Sequence, residues 1–452
     1  MQQLTEPARQ IPIAFDCDLC VIGGSGTGVF AAVRAARLGL SVALVEQNIV
    51  LGGMAVAAQV NEWHRLTDAN GTQPIIGGLT AEVLERLRAK AAVRSAEYEF
   101  RGEYHAFNSA DLALELDALV LEHGIRCFLK CSCVAAIRDG ATLSAVIIED
   151  KSGRRAIRAR QFIDASGDGD LLRRAGFAAW QEPVMQPVMY QMIGAGFQAV
   201  SRRAGGNLYA ALAERATALG YPAVNARPWI NPYPAPADLN NIYGPRQQGV
   251  DASDADQLSA AVLRGRRYLG ALLAAARERF GADSVAPVHF AHALGVRETW
   301  HARCQLQLTG ADMLAGRVYA DSIGRGTYPV DVHSPEGTLL RHMDGTEEVI
   351  DLRGGRQIRR WREAASDAPM CYHIPYRALV PLGAGNLLVA GRLLDADREG
   401  YGGVRVMVNM NQTGEAAGVA AALALQSGRP VAGIDVALLR TRLADGGSLI
   451  AG

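Results

Sequence analysis

The sequence predicts an α/β fold centred on a Rossmann-like βαβ unit, and three observations near its start carry that prediction. "CDLCVIGG" (17–24) is a short apolar run that ends in glycine and reads as a strand. "VFAAVRAARLG" (29–39) follows as an alanine-rich helix with Gly39 at its C-terminal cap, and "SVALVE" (41–46) is a second β-branched run. Strand, glycine turn, helix and strand within roughly 30 residues make a βαβ unit.

The turn between the first strand and the helix is Gly23-Gly24-Ser25-Gly26-Thr27-Gly28. Backbone N–H groups and the positive end of the helix meet there, which suits the pyrophosphate of a dinucleotide. In the register that starts at Gly23, Ser25 occupies the second glycine position, where a small side chain must point away or lend its hydroxyl to a phosphate. Glu46, with Gln47 after it, ends the second strand and is placed to accept hydrogen bonds from an adenosine ribose.

Cys17-x-x-Cys20 in the same stretch suggests redox thiols or a metal. Residues three apart on a strand point to opposite faces, and a redox pair needs an accessible thiolate, so both read as buried strand residues. "CFLKCSC" (127–133) is also strand-like and lacks the ligand spacing of a zinc site.

Further along, "GLTAEVLERLRAK" (78–90) and "SADLALELDALVLEHG" (109–124) read as amphipathic helices, a helical insertion over about 67–124. Alternating runs at 125–131, 133–138, 143–149 and 155–163 predict strands joined by the turns "DG" (139–140) and "KSG" (151–153). The last run enters "FIDASGDGDLLRRAG", a strand broken by glycines before another helix. From 181 to about 370 the character changes to a mixed α+β region. "NARPWINPYPAPADLNNIYGP" (225–245), rich in proline and asparagine, reads there as loop. A helix follows, capped by Asp254 with Gln257 answering three residues later. "MIGAGFQA" (192–199) imitates a second dinucleotide fingerprint but lacks the acidic strand end, so it reads as strand and turn. "NLLVAG" (386–391) is one more buried strand, and "GGVRVMVNMNQTGEAAGVAAALAL" runs into a long helix of small residues.

The 452 residues allow two or three domains, and 49% hydrophobic with 20% charged residues is an ordinary globular balance. Lys+Arg and Asp+Glu are 46 each, which argues against recruitment of nucleic acid or a membrane surface by charge and favours a small-molecule ligand. Seven cysteines, an odd number, do not suggest a disulfide framework. The N-terminus has no signal-peptide pattern and no apolar segment reaches membrane-span length, so the cytoplasm is the expected location.

Taken in order, "DCDLCVIGGSGTGVFAAVRAARLGLSVALVEQNIVLGGMA", "FIDASGDGDLLRRAG", "LGVRETW", "YPVDVHSPEG", "IPYRALVP" and "NLLVAGRLLDADREGYGGVRVM" resemble the FAD-dependent oxidoreductases of glutathione-reductase type, and within them the branch related to the fumarate-reductase group. The resemblance implies a FAD domain discontinuous in sequence, 15–180 and 371–452, with a substrate domain inserted at 181–370. It implies that Gly23, Gly24, Ser25, Gly26, Thr27 and Gly28 hold the pyrophosphate and that Glu46 holds the adenosine ribose. Gly52, Gly53 and Met54 match the loop that runs along the cofactor, and Cys133 falls where such proteins offer backbone to adenine. Ala165, Ser166, Gly167 and Asp168 match an alanine-threonine-glycine motif with serine for threonine, and Gly391 and Arg392 a second pyrophosphate-side motif that often reads Gly-Asp. The chain also departs from its relatives at Arg398, where they often have histidine, and at Trp300, where they often have arginine.

The expected chemistry is hydride transfer from a small organic substrate to flavin N5, by a dehydrogenase or oxidase. A flavin monooxygenase and a flavin-bearing protein without turnover are the alternatives, and the electron acceptor is unknown, dioxygen being one candidate. Oligomerisation is left open. The final helix should turn its N-terminal amides, near Gly403, Val404, Arg405 and Val406, toward the flavin edge where negative charge collects on reduction. Arg405 adds a full charge there unless it is simply solvated. His333 in "DVHSP", near Asp331, is the first candidate base and His64 in "NEWH" the second, with a packing role as the plain alternative for each. Arg297 and Arg398 are candidates for a bidentate clamp on a carboxylate, and pairing of Arg297 with Glu298 is the alternative.

Overall fold

The computed structural model describes residues 4–98, 102–204, 212, 214, 215, 217, 218, 229–235, 238–351, 355–363 and 369–450. Its main sheet starts from the predicted βαβ unit: Ile13–Ile22 and Val42–Glu46 pair in parallel, joined by the helix Gly26–Arg37. Arg126–Leu129 extends the sheet beyond Val42–Glu46. On the other side, the long strand Gly153–Asp164 lies parallel to Ile13–Ile22.

That long strand serves two neighbours along its outer edge. Its first half pairs antiparallel with Thr142–Asp150, which continues to Ser132–Asp139 as a meander. Its last residues pair in parallel with Leu387–Val389, so a strand from near the C-terminus completes the sheet. Asn386 fixes the junction: its amide donates to the carbonyls of Leu143 (2.8 Å) and Arg160 (2.9 Å) and accepts from Leu143 N (2.8 Å). The result is an α/β fold with a Rossmann-like sheet.

The helix Met407–Ser427 crosses Gly26–Arg37 at very close range. A Cβ on Gly414 would stand 2.1 Å from the Thr27 carbonyl oxygen and one on Gly418 2.2 Å from that of Ala31. Two glycines four apart thus make a flat stripe that lets the backbones touch. Arg34 and Glu415 form a buried ion pair at this crossing (3.6 Å).

The insertion after the second strand holds the helices Gly78–Ala89 and Ser109–Glu122 as expected, and also the strands Val93–Tyr98 and Gly102–Phe107, which form a small antiparallel sheet with Glu62–His64. Asn108 caps the second helix by accepting from Ala110 N (2.9 Å).

In the middle region a four-stranded antiparallel sheet runs Trp229–Pro232, Leu239–Gln247, Val188–Ala195, Ala286–Phe290, covered by the helix Ala255–Phe280. The loop expected over 225–245 is therefore corrected for its described part: two strands lie there. Gly244 and Pro245 fall at a register shift between Met189 and Gln191, a bulge where a ladder tolerates proline. Asp254 caps the long helix through Gln257 N (2.9 Å), but the Gln257 side chain accepts from Asp251 N (3.0 Å) rather than from the cap residue itself. A second antiparallel sheet follows, Val330–Ser334, Gly337–Arg341, Thr346–Asp351 and Arg356–Arg360.

Cys17 and Cys20 are buried free thiols, as read from the strand pattern. Burial pushes the Cys17 thiol up to about 12 and that of Cys20 well above its ordinary value, so neither is a thiolate near neutrality. No helix among the described residues is long and apolar enough to cross a membrane, and no cluster of metal-ligating side chains occurs among them.

Candidate cofactor and active site

A cavity of about 1510 Å³ runs from the ends of the parallel strands to the antiparallel sheets. Ordinary small-molecule sites occupy roughly 300–1,000 Å³, so this one has room for an extended dinucleotide and a second small ligand. Of the predicted residues, Gly23, Ser25, Gly26, Thr27, Glu46, Gln47, Gly52, Gly53, Met54, Cys133, Ala165, Ser166, Gly167, Asp168, Gly391, Arg392, Arg405 and Val406 line it, together with His64, Arg297 and His333.

The glycine turn has the register of the fingerprint with serine second. Gly23 adopts φ +101°, and a Cβ there would be 2.4 Å from the Ala165 carbonyl oxygen. A Cβ on Gly28 would be 1.8 Å from the Gly23 carbonyl oxygen, so the helix can follow the strand this tightly only with glycine at that position. Gly24 and Gly28 consequently shape the turn from behind and are not on the cavity wall, a correction to their expected direct contact with a ligand. Ser25 is the N-cap residue, yet its side chain makes no capping hydrogen bond. The first amides of Gly26–Arg37 have no intrahelical partner, and they open toward the cavity at Ser25, Gly26 and Thr27.

Glu46 ties this turn together. Its carboxylate accepts from Gly24 N (2.6 Å), Asn48 N (2.7 Å) and Asn48 Nδ2 (2.6 Å). Burial nevertheless raises its carboxyl above the usual range, against the opposing hydrogen bonds.

Across the cavity, Asp164 organises the "DASGDG" loop and is a residue that the sequence reading passed over. It is buried and accepts from Ser166 N (3.0 Å), Ser166 Oγ (2.6 Å), Leu171 N (2.9 Å) and Leu172 N (2.8 Å). Burial raises its carboxyl to about 6. The available signal was an acidic residue closing an apolar strand just before a glycine-rich turn. Asp168 accepts from Thr299 Oγ1 (2.7 Å) and from Arg392 Nη2 (3.0 Å), while Arg392 Nη1 is buried without a partner among the described residues.

The helix Met407–Ser427 begins later than expected. Its N-cap is Val406, without a side-chain cap, and Val406, Met407 and Met410 line the cavity. Gly403 and Val404 belong instead to the short helix Arg398–Val404 and lie behind the wall. Tyr372 Oη donates to the Gly403 carbonyl (2.9 Å), which holds that turn in the interior.

At the far end of the cavity, Arg246, Arg297, Arg405, Tyr328, Asp331 and His333 converge. Tyr328 Oη donates to Asp331 Oδ2 (2.9 Å), and Arg405 Nη2 reaches the same oxygen at 3.3 Å. His333 Nε2 lies 3.3 Å from Asp331 Oδ1, and Nδ1 lies 2.9 Å from Thr338 Oγ1. Burial, then Arg246, hold the His333 imidazole well below its ordinary pKa, so it is neutral near pH 7 despite Asp331. The His64 ring is 4.8 Å from that of Tyr328.

Arg398 is not part of this group, a correction to the expected clamp. It starts the short helix Arg398–Val404, half-buried, where the charges near it include Glu182 and Glu336. Arg246 and Arg405 are the guanidiniums that accompany Arg297 instead. Glu298 does not pair with Arg297. It accepts from Gln186 N (2.7 Å) and faces His301 Nε2 (3.0 Å). Trp300 stands behind the wall, donating to Ser253 Oγ (2.9 Å) under the Arg173 guanidinium.

The family model described as FAD dependent oxidoreductase matches residues 18–443. The chain belongs to that family. The protein is thus a FAD-dependent oxidoreductase, and the cavity fits the cofactor on its own evidence: two uncapped helix N-termini open into it, and Arg392 brings a buried N–H that has no acceptor among the described residues. No curated protein matches the oxidoreductase. Solved structures similar to it include a geranylgeranyl bacteriochlorophyll reductase-like protein from Thermoplasma acidophilum, at 11% identity over 95% of this chain and 83% of that one, with a TM-score of 0.47. The p-nitrophenol 4-monooxygenase PnpA from Pseudomonas putida DLL-E4 is similar at 9% identity over 96% and 85%, with a TM-score of 0.45. The anhydrotetracycline hydroxylase OxyS from Streptomyces rimosus is similar at 14% identity over 96% and 66%, with a TM-score of 0.41.

Proposed function

We propose that the oxidoreductase is a dehydrogenase or oxidase of the glutathione-reductase type that takes a hydride from a small organic substrate. In this reading residues 15–180 and 371–452 form the FAD domain and 181–370 the substrate domain. The observation that carries it is one cavity with a phosphate-type turn at one end and a polar cluster of Arg297, Asp331 and His333 at the other.

Gly23, Ser25, Gly26 and Thr27 would face the pyrophosphate with backbone amides, supported from behind by Gly24 and Gly28. Glu46 would hold the ribose with the lone pairs left over from Gly24 and Asn48. Gly52, Gly53 and Met54 would flank the cofactor, Cys133 would offer backbone to adenine, and Arg392 would direct Nη1 at it. When bound, FAD supplies the hydride acceptor at its N5. The Val406 and Met407 amides, with Arg405, would stabilise negative charge at the neighbouring edge.

His333 is the proton acceptor in this scheme. Its neutral ring would keep Nε2–H toward Asp331 Oδ1 and take the proton at Nδ1 through the Thr338 hydroxyl beside it, which recovers a proton from the substrate, and the Asp331 carboxylate would stabilise the imidazolium. His333→Ala is expected to slow flavin reduction by substrate about 100-fold or more while FAD content stays unchanged. A normal rate in stopped-flow reduction would pass the role to His64. Because the pKa of His333 is depressed, its basic form persists from alkaline pH down through pH 6.5. The rate of flavin reduction should therefore be flat through neutrality and fall only on the acid side of 6.5.

Glu46→Ala removes the acceptor of Gly24 N as well as the ribose contact. FAD retention after gel filtration should drop at least about tenfold, since a buried donor loses its partner. Unchanged occupancy would count against both roles.

A further inference from the structure

We infer that the inner end of the cavity binds the carboxylate of a small organic acid, gripped by the Arg297 guanidinium between Arg246 and Arg405. The inference rests on the reading above for the place of FAD and goes on to name the substrate class.

Arg297 presents a buried, sparsely bonded guanidinium to the cavity. Its guanidinium makes one hydrogen bond, to the Pro187 carbonyl (2.8 Å), and no ion pair among the described residues, yet it lines the cavity. Arg405, whose side chain is only 10% exposed, keeps a buried Nε without a hydrogen-bond partner among the described residues. Asp331 is the carboxylate that faces this group, and it is shared with Arg405, Tyr328 and His333. Glu348, also on the wall, is ion-paired with Arg356 (2.9 Å), and Glu62 accepts from Asn231 Nδ2 (2.7 Å).

The Arg297 guanidinium brings its charge into a buried place with no ion pair among the described residues, where an uncompensated ion is strongly unfavourable. Burial, and then Arg405 and Arg246, lower the pKa of Arg297 to about 9. An incoming carboxylate would compensate that charge and match the planar fork of Arg297 bidentately. The carboxylates of Asp331 and Glu348 on the same wall disfavour a dianionic phosphate. Beyond the cluster the wall mixes polar side chains (Gln191, Asn231, Tyr243) with apolar ones (Met189, Trp229, Leu340), so it suits an acid with both polar and apolar parts.

The test uses the FAD-loaded protein and reads the flavin absorption spectrum and the thermal midpoint during titration with the monocarboxylates lactate and gluconate, their neutral counterparts lactamide and glucitol, and inorganic phosphate. Carboxylates should give a saturable perturbation that the neutral compounds lack. Arg297→Gln should weaken it at least about tenfold, and Arg297→Lys should restore it only in part. Circular dichroism and FAD content establish that both variants are folded. Neutral compounds or phosphate binding as well as the carboxylates would overturn the inference. So would an Arg297→Gln protein with altered FAD affinity and unaltered anion binding, which would assign Arg297 to the cofactor. Carboxylate binding that depends on Arg297, with no organic acid reducing the flavin, would support this site and remove the dehydrogenase reading. A neutral donor that reduces the flavin regardless of Arg297 would do the reverse.

Discussion

Gly28→Ala is expected to yield a protein that does not retain FAD. The added methyl would lie 1.8 Å from the Gly23 carbonyl oxygen, a backbone atom in the turn itself, so relief requires the helix Gly26–Arg37 to move off the strand. Overpacking against backbone costs about 3 kcal/mol or more, which is roughly a hundredfold in affinity if the strain falls on the loaded turn. Flavin-to-protein ratio after desalting measures it. Gly270→Ala is the matched control. It lies within the helix Ala255–Phe280 with nothing within 4 Å of the new methyl, so it should keep FAD and gain up to about 1 kcal/mol in stability. Equal FAD loss in both variants would show that the turn is not the cause.

Arg34→Met should be the most damaging single change to stability, about 3–5 kcal/mol in denaturant unfolding. The side chains of Arg34 and Glu415 are 4% and 1% exposed, so removal of the cation leaves a carboxylate stranded between packed helices. Arg34 also donates to the carbonyls of Gly446 (2.7 Å) and Leu443 (3.0 Å), which fasten the C-terminal segment to the nucleotide helix. Burial raises Glu415 to about 7 even with Arg34 present, and it lowers Arg34. A carboxyl with a raised folded-state pKa favours folding most below its ordinary value of 4.5, and that stability is lost as pH rises through about 7. The Arg34→Met protein should accordingly recover part of its loss on acidification. The double variant Arg34→Met/Glu415→Leu should recover most of it at neutral pH, and failure to do so would place the loss in the carbonyl contacts.

Local chemistry made much of this molecule readable from sequence. The strand ending at Ile22, the helix after Ser25 and the acid at Glu46 follow from apolar runs, glycine and a strand-end carboxylate, and Asp254 caps its helix through Gln257 as its spacing suggests. Proline and asparagine misled at 229–247, because a bulge opposite Met189 and Gln191 absorbs Gly244 and Pro245 into a strand. The small residues around Gly414 and Gly418 were visible, but that they face Thr27 and Ala31 is a property of helix crossing and has no local signature. The same holds for the active end. Arg246, Arg297, Asp331 and Arg405 come from four separate elements, and none has a periodicity or spacing relative to the others. Arg398 attracted attention by sequence position, but it is not among the residues that line the cavity.

The central claim is that the cavity holds FAD poised to take a hydride from a small-molecule donor. It is tested most directly by the visible spectrum of the FAD-reconstituted protein during anaerobic addition of candidate donors, small organic acids first, without NADPH. A yellow protein whose flavin bands bleach on addition of a donor is the predicted result. A protein that stays colourless after reconstitution, or a bound flavin that bleaches only when NADPH is supplied, would contradict it.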